Sequence, residues 1–259
     1  MITGRIEHKV KGVARACEIL KQVFRDITPY MTPGRSASEI NQLVEDGIRR
    51  RSAKPAFLGF PSAEGKPFPA SVCISIDAEV VHGIPNDRIF SAGQIVGLDI
   101  GVELDGFYGD AARTFLIGEV GEPIRRLVQV TRESLDRGIQ QARKNARLSD
   151  ISYAIQSWAE KHGYSVVREL SGHGIGTSLH EEPQVPNHGL PGRGVKLTPG
   201  MILAIEPMIN LGGREVYTAS DGWTVITKDG LPSAHWEETI AITDGAPLIL
   251  TRENGEVQS

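Results

Sequence analysis

LDIGVELDGFYGDAARTF, residues 98–115, decides the fold. Two apolar, strand-like runs flank Asp105-Gly106. Asp-Gly is a strong signal for a two-residue hairpin loop, because that turn needs positive φ at both central positions. A loop of that length puts Asp99 opposite Ala112 and leaves Asp110 two positions along on the same face, since side chains alternate with a period of two. The two carboxylates are then diagonal neighbours, roughly 5–8 Å apart at the backbone. Carboxylates held together in apolar surroundings stay ionised only with a cation between them; otherwise one takes up a proton. The alternative, with Asp110 closing a strand and Asp99 in water, sits poorly with Leu98, Ile100 and Val102 around Asp99, because a buried unpaired charge is costly.

Working outward, SVCISI before the hairpin reads as a further strand, and residues 54–69 read as a Pro-, Gly- and Phe-rich loop. Upstream, apolar spacing predicts a helix ending near Ile27 and a second one after Ser36, with Ser36 or Ser38 as cap. Downstream, helices are expected over residues 124–145 and 149–162, the latter capped by Ser149 or Asp150 and stopped by Gly163. YSVVREL, MILAIEPMI, WTVIT and HWEETIAIT then read as strands. The order helices, strands, helices, strands predicts an α+β fold of two similar halves with antiparallel pairing, in a single domain over residues 1–259.

Bulk properties narrow the function. The 259 residues are 40% hydrophobic and 23% charged, with a net charge of -4. That is ordinary for a globular chain and argues against a broad nucleic-acid surface or sequence-specific nucleic-acid binding. No apolar run approaches a membrane span, and the N-terminus lacks a leader pattern. Two cysteines, Cys17 and Cys73, read as free thiols in a reducing compartment, so a cytoplasmic location is expected.

The remaining acids and imidazoles extend the constellation. Glu206 ends the apolar run MILAI, where a solvated charge is hard to accommodate; a strand-end salt bridge is the alternative. In HWEETIAIT, alternation puts Glu237 and Glu238 on opposite faces and leaves open which one meets a site. SGHGIGTSLHEEP, residues 171–183, carries His173 between two glycines and His180 seven residues on. Alone, His173 reads as a polar loop residue; beside converging carboxylates it reads as a ligand. Oxygen-rich ligation with one imidazole suits divalent Mn, Fe, Co or Zn, and carboxylates can bridge two ions. From the residues alone, this is a metallohydrolase of unspecified substrate.

DIGVELDGFYGDAARTF, GHGIGTSLHEEPQVPN, LAIEP and WEETI together, in this order and spacing, resemble the type I methionine aminopeptidases in the short form without an N-terminal zinc-binding extension. The resemblance runs over nearly the whole chain. It implies a pita-bread fold, with two pseudo-symmetric halves and a curved antiparallel sheet covered by helices. It implies two divalent ions, drawn from Co, Mn, Fe, Zn and Ni, held by Asp99, Asp110, His173, Glu206 and Glu237, with Asp110 and Glu237 bridging. A metal-bridging hydroxide would attack the carbonyl of an N-terminal methionine followed by a small residue. Glu206 would act as base, His180 as donor to the carbonyl oxygen, and His82 as a contact near the scissile bond.

By position, the resemblance puts the methionine pocket at Phe57, Phe60, Phe68, Cys73, Leu179 and Trp223. Phe60 and Phe68 stand where the family often has tyrosine, Phe57 replaces a small residue or Cys, and Leu179 replaces Phe. Glu238 stands where the family often has His, and the loop of residues 61–67 is longer. Methionyl peptides and nascent chains are the expected partners of a cytoplasmic monomer. A ribosome contact is compatible with that role, and RRRSAK, residues 49–54, is its candidate, although a solvated helix end is the simpler reading. The chain's own Ile2 is bulky, so Met1 should be retained. A related peptidase with another N-terminal preference is the main competitor. A non-catalytic relative is disfavoured because all five ligand types are present.

Overall fold

The computed structural model describes residues 4–61 and 65–253. Met1, Ile2 and the middle of the 61–67 loop, on which two of the expectations fall, lie outside them.

Helix α1 (Gly4–Ile27) and helix α2 (Ala37–Arg49) precede the first strands. Ser36 caps α2, its hydroxyl accepting from the Glu39 amide at 3.1 Å. Strands β1 (Lys54–Pro55), β2 (Cys73–Ile76), β3 (Glu79–Val81), β4 (Ile95–Leu104) and β5 (Phe107–Leu116) follow. β4 and β5 form the expected hairpin. Asp105 and Gly106 turn it with φ of 53° and 79°, and Asp99 pairs with Ala112 while Gly101 pairs with Asp110. Buried Leu20, Val23, Ile40 and Val44 of the two helices pack on Val96, Leu98 and Ile100 of β4, forming the core of the first half.

Helices α3 (Glu122–Gln141) and α4 (Leu148–Lys161) open the second half. Both depart from the expected bounds. α3 stops four residues early, and a bend through residues 142–147 includes Asn145 at φ 73°. α4 begins at Leu148 rather than Ser149, because the Asp150 carboxylate accepts from the Arg147 amide at 2.8 Å and so closes the first turn from inside the helix. Leu135, Ile139, Ile151 and Ile155 on this pair pack against Leu203, Ile205 and Ile240, a second core built like the first.

The strands of this half are β6 (Ser165–Val166), β7 (Ser171–Gly174), β8 (Glu181–Pro186), β9 (Ile202–Ile205) and β10 (Met208–Asn210). After them come β11 (Val216–Thr218), β12 (Val225–Thr227), β13 (Ser233–His235), β14 (Glu238–Ala241) and β15 (Leu248–Ile249). YSVVREL shrinks to the two residues of β6. MILAIEPMI and HWEETIAIT are each broken in two, at Glu206-Pro207 and Trp236-Glu237. The breaks lie side by side. β9 pairs with β14 and β10 with β13, all antiparallel, so the two chains bend together from one sheet into the next.

A threonine-laced seam joins the halves. The Glu237 amide donates to Ala112 O at 3.0 Å, the Thr239 hydroxyl donates to Asp110 O at 2.7 Å, and the Thr114 hydroxyl donates to His235 O at 2.7 Å. Residues 110, 112 and 114 of β5 thus run antiparallel to 239, 237 and 235, with hydroxyls bridging where the main chains stand apart. The cations of the basic run at residues 49–54 are paired within the chain: Arg49 with Glu45, Arg50 and Arg51 both with Asp26, and Lys54 with Glu103. No described helix is long and apolar enough to cross a membrane. Both cysteines are free and buried.

Candidate metal centre

The hairpin and the paired breaks aim acidic side chains, and β7 aims His173, into one cavity of about 600 Å³. Asp110, His173 and Glu237 each offer a ligand atom, and these atoms lie within 4.8 Å of one another. Glu206 joins them through His173, whose Nε2 stands 3.6 Å from Glu206 Oε1. Asp99 lines the same cavity beside Asp110, two positions away on the same face of the hairpin. All five sequence-derived candidates are therefore brought together.

Their electrostatics call for cations. Burial is the main cause pushing the Asp110, Glu206 and Glu237 carboxyls well above the usual carboxylate range, and the neighbouring carboxylates add to it. Burial likewise moves Asp99 from an ordinary 3.8 up to about 7. Asp99 Oδ1, Asp110 Oδ1 and Glu237 Oε1 are buried and have no hydrogen-bond partner among the described residues. The nearby guanidinium of Arg113 spends its donors on the carbonyls of Ala112, Glu237 and Thr251 and on Glu238. His173 donates from Nδ1 to Gly174 O at 2.9 Å, which leaves the Nε2 lone pair facing the acids. Burial first, then His180, lower its pKa to about 4, so the ring is neutral and fit to ligate. Orphaned anionic oxygens around one oriented imidazole fit divalent ions.

The geometry also separates Glu237 from Glu238. Glu237 sits in the break and faces the cavity, whereas Glu238 points to the opposite side. There it accepts from Arg113 Nη2 at 3.1 Å, from Arg252 Nε at 2.9 Å and from the Thr251 hydroxyl. Burial alone would raise the Glu238 carboxyl, yet these partners hold it below its ordinary value. Its place in this chain is in an ion network that ties the C-terminal segment and Asp136 of α3 behind the site.

The expected methionine pocket lines the same cavity. Phe57, Phe68, Cys73 and Leu179 are buried, and Phe68 meets Trp223 edge-on at 5.1 Å between ring centroids. Phe60 packs edge-on against His180 at 5.1 Å, and His180 against His173 at 4.3 Å. His82 stands at φ 58°, with its pKa lowered to about 4 by burial and then by His180. One residue was missed from sequence: buried His235, whose Nε2 lies 3.7 Å from Glu206 Oε2. It shares parity with Glu237, and that was the signal available. Burial, then His82, lowers its pKa to about 3, so it adds no positive charge.

A pH test follows. An acid whose folded pKa lies above its unfolded value keeps its proton longer in the fold. For Asp99 the folded protein therefore loses stability as pH rises from about 3.8 towards about 7. Bound cations keep the acids ionised and remove that loss. The gap in melting temperature between Mn-loaded and chelator-treated protein should widen from about pH 5 to about pH 8. A gap constant across that range would contradict the electrostatics.

Comparison with known proteins agrees with this centre. The profile of metallopeptidase family M24 matches residues 11–244. The chain is 45% identical over 252 residues to methionine aminopeptidase 1 of Bacillus subtilis (strain 168), covering 97% of this chain and 100% of that one. It superposes on the crystal structure of methionine aminopeptidase from Rickettsia prowazekii with a TM-score of 0.91 at 41% identity, covering 95% and 98% of the two chains. The prolidase from Pyrococcus furiosus shares the fold alone, at TM-score 0.77 and 22% identity, with 95% of this chain and 64% of that one covered. With its pita-bread architecture and its acid-lined centre, the chain belongs to metallopeptidase family M24 and, within it, to the methionine aminopeptidases.

Proposed function

We propose that this chain releases the N-terminal methionine from peptides and nascent proteins with a small second residue. Asp99, Asp110, His173, Glu206 and Glu237 would hold two divalent ions, Asp110 and Glu237 serving both. The observation that carries this reading is the cluster of buried, mutually repelling carboxylates in one cavity with the apolar side chains Phe57, Phe68, Leu179 and Trp223. When bound, divalent cations supply positive charge that activates water near neutral pH and polarises a carbonyl.

The chain's own residues do the rest. Phe57, Phe60, Phe68, Cys73, Leu179 and Trp223 bind the thioether side chain and exclude water around it. These six side chains are themselves uncharged, which suits an unbranched, uncharged side chain. His180 donates a ring N–H to the carbonyl oxygen as negative charge develops, a contribution typically worth about 10²–10³ in rate. Although its surface is open to solvent, partial desolvation at the cavity wall lowers its pKa, and a neutral imidazole retains one N–H for this purpose. His82 contacts the substrate beside the scissile bond. Glu206 accepts a proton at its carboxylate from the attacking water and passes it to the leaving amine. The basic run at residues 49–54 offers little free charge to a ribosome, since its cations are paired within the chain.

Methionine release from Met-Ala-Ser in added Mn or Co, against Leu-Ala and Ala-Pro peptides, tests the reading. Preferential cleavage of Met-Ala-Ser supports it; preferential cleavage of Ala-Pro peptides, or no methionine release, overturns it. The pocket wall gives a second check. A Cβ on Gly101 would lie 2.6 Å from Phe57 Cε1 and 3.0 Å from Ala56 Cβ. Overpacking of this kind typically costs about 1–3 kcal/mol. Gly101→Ala should therefore push Phe57 into the pocket and raise KM for methionyl peptides roughly five- to a hundredfold, with metal content retained. An unchanged KM would remove Phe57 from the pocket.

A further inference from the structure

The turn that carries Leu179 and His180 has an organiser that the reaction itself does not use. β7 and β8 pair with Gly174 opposite Glu181, and residues 175–180 form the connection between them. Leu179 is buried, but His180 is exposed and meets its neighbours only edge-on, at Phe60 and His173. The core therefore does not fix His180; the turn's backbone does. Glu181 Oε1 accepts from the Thr177 amide at 2.7 Å, the Ser178 amide at 3.2 Å and the Thr177 hydroxyl at 3.2 Å. Its other oxygen accepts from Lys9 Nζ of α1 at 2.6 Å.

One carboxylate thus closes the turn on itself and fastens it to the N-terminal helix. The pair is only partly exposed, with side-chain exposures of 32% for Lys9 and 22% for Glu181, so it is less screened than a fully exposed pair. Gly176 shows how tightly the clasp is drawn, since a Cβ there would collide with Lys9 Cε and lie 2.8 Å from Glu181 Oε1. From the other side, the Tyr108 amide donates to Gly176 O at 2.9 Å, tying the turn to the hairpin that carries Asp110.

We propose that Glu181 is a positioning residue that acts through His180: by closing residues 175–180 and clasping Lys9, it sets where the His180 imidazole stands relative to the scissile carbonyl. This rests on the reading of His180 as the donor to that carbonyl. A misplacement of about 1 Å in such a group can cost on the order of 10²-fold in rate.

A double-mutant cycle on the Mn-loaded full chain tests it, with Met-Ala-Ser as substrate. Glu181→Ala should lower kcat about ten- to a hundredfold. Mn affinity by titration calorimetry should stay within about threefold, because none of the proposed ligands lies in residues 175–181. Glu181→Gln should recover only part of kcat, since its amide oxygen still accepts from Thr177 and Ser178 while the ion pair to Lys9 is lost. In a His180→Ala background, Glu181→Ala should cost less than about threefold, because the group it positions is gone. Equal losses in both backgrounds, or an unchanged kcat, would overturn the proposal and leave the role of His180 standing. A His180→Ala enzyme with full kcat would overturn both. Lys9→Met, which cuts only the outer end of the clasp, supplies the same cycle if Glu181→Ala does not fold.

Discussion

Asp110→Asn and Glu237→Gln should each reduce methionine release by roughly 10³-fold or more and lower the metal bound per chain. The seam between the halves is the reason. Thr239 bonds both the amide and the carbonyl of Asp110, and the Glu237 amide is bonded to Ala112 O. The backbones that carry these two acids are therefore fixed to each other, and neither side chain can retreat. Each presents a buried oxygen without a hydrogen-bond partner among the described residues. An amide of the same shape would replace an anionic oxygen with a neutral group and remove charge that the cations need.

The same changes should act in the opposite sense on the metal-free protein. Beyond burial, Asp110 raises the pKa of Glu237, and Asp99 and Glu206 raise that of Asp110, so deleting one charge from this cluster relieves repulsion. The variants should melt no lower than the parent in chelator, and the rise in melting temperature on adding Mn should shrink. Metal analysis and melts with and without Mn check both halves. A variant with full metal content and full activity would exclude these residues as ligands.

What could be read in advance, and what could not, follows from range. The Asp105-Gly106 turn is local, and its length sets the parity of every residue in the hairpin, so the Asp99–Ala112 pairing was legible. Alternation assumes a straight strand, and the paired breaks violate that assumption. Parity still puts Glu237 and Glu238 on opposite faces, as they are, but does not say which face the cavity takes; Glu237 turns to it and Glu238 to Arg113 and Arg252. Only the family resemblance pointed to Glu237. The end of α3 was misplaced because residues 142–147 contain neither Gly nor Pro, and contacts such as Asn145 N to Leu197 O decide where the helix stops. What Glu181 bonds could not be read for a related reason, since its partner Lys9 lies 172 residues away in the chain. Composition and spacing located the acids; long-range pairing decided what each faces.

Glu206→Gln should separate ligation from proton transfer. Glu206 sits at the break between β9 and β10, its carbonyl held by Asn187 Nδ2 at 3.0 Å. Its carboxylate lies between His173 Nε2 at 3.6 Å and His235 Nε2 at 3.7 Å. Both imidazoles are neutral, with pKa values near 4 and 3, so neither compensates its charge. Burial, then the charge of Asp99, raises the pKa of Glu206, which makes it a stronger base than an exposed carboxylate. Gln keeps one oxygen for a cation but cannot carry the proton. Because Asp110 and Glu237 remain, the metal content should stay close to that of the parent. Loss of a general base should lower kcat about 10²- to 10⁴-fold while KM moves only a few-fold. Metal analysis and steady-state kinetics on one preparation decide the point. Metal loss as large as in Asp110→Asn would make Glu206 a ligand only, and a kcat within about tenfold of the parent would place the base elsewhere.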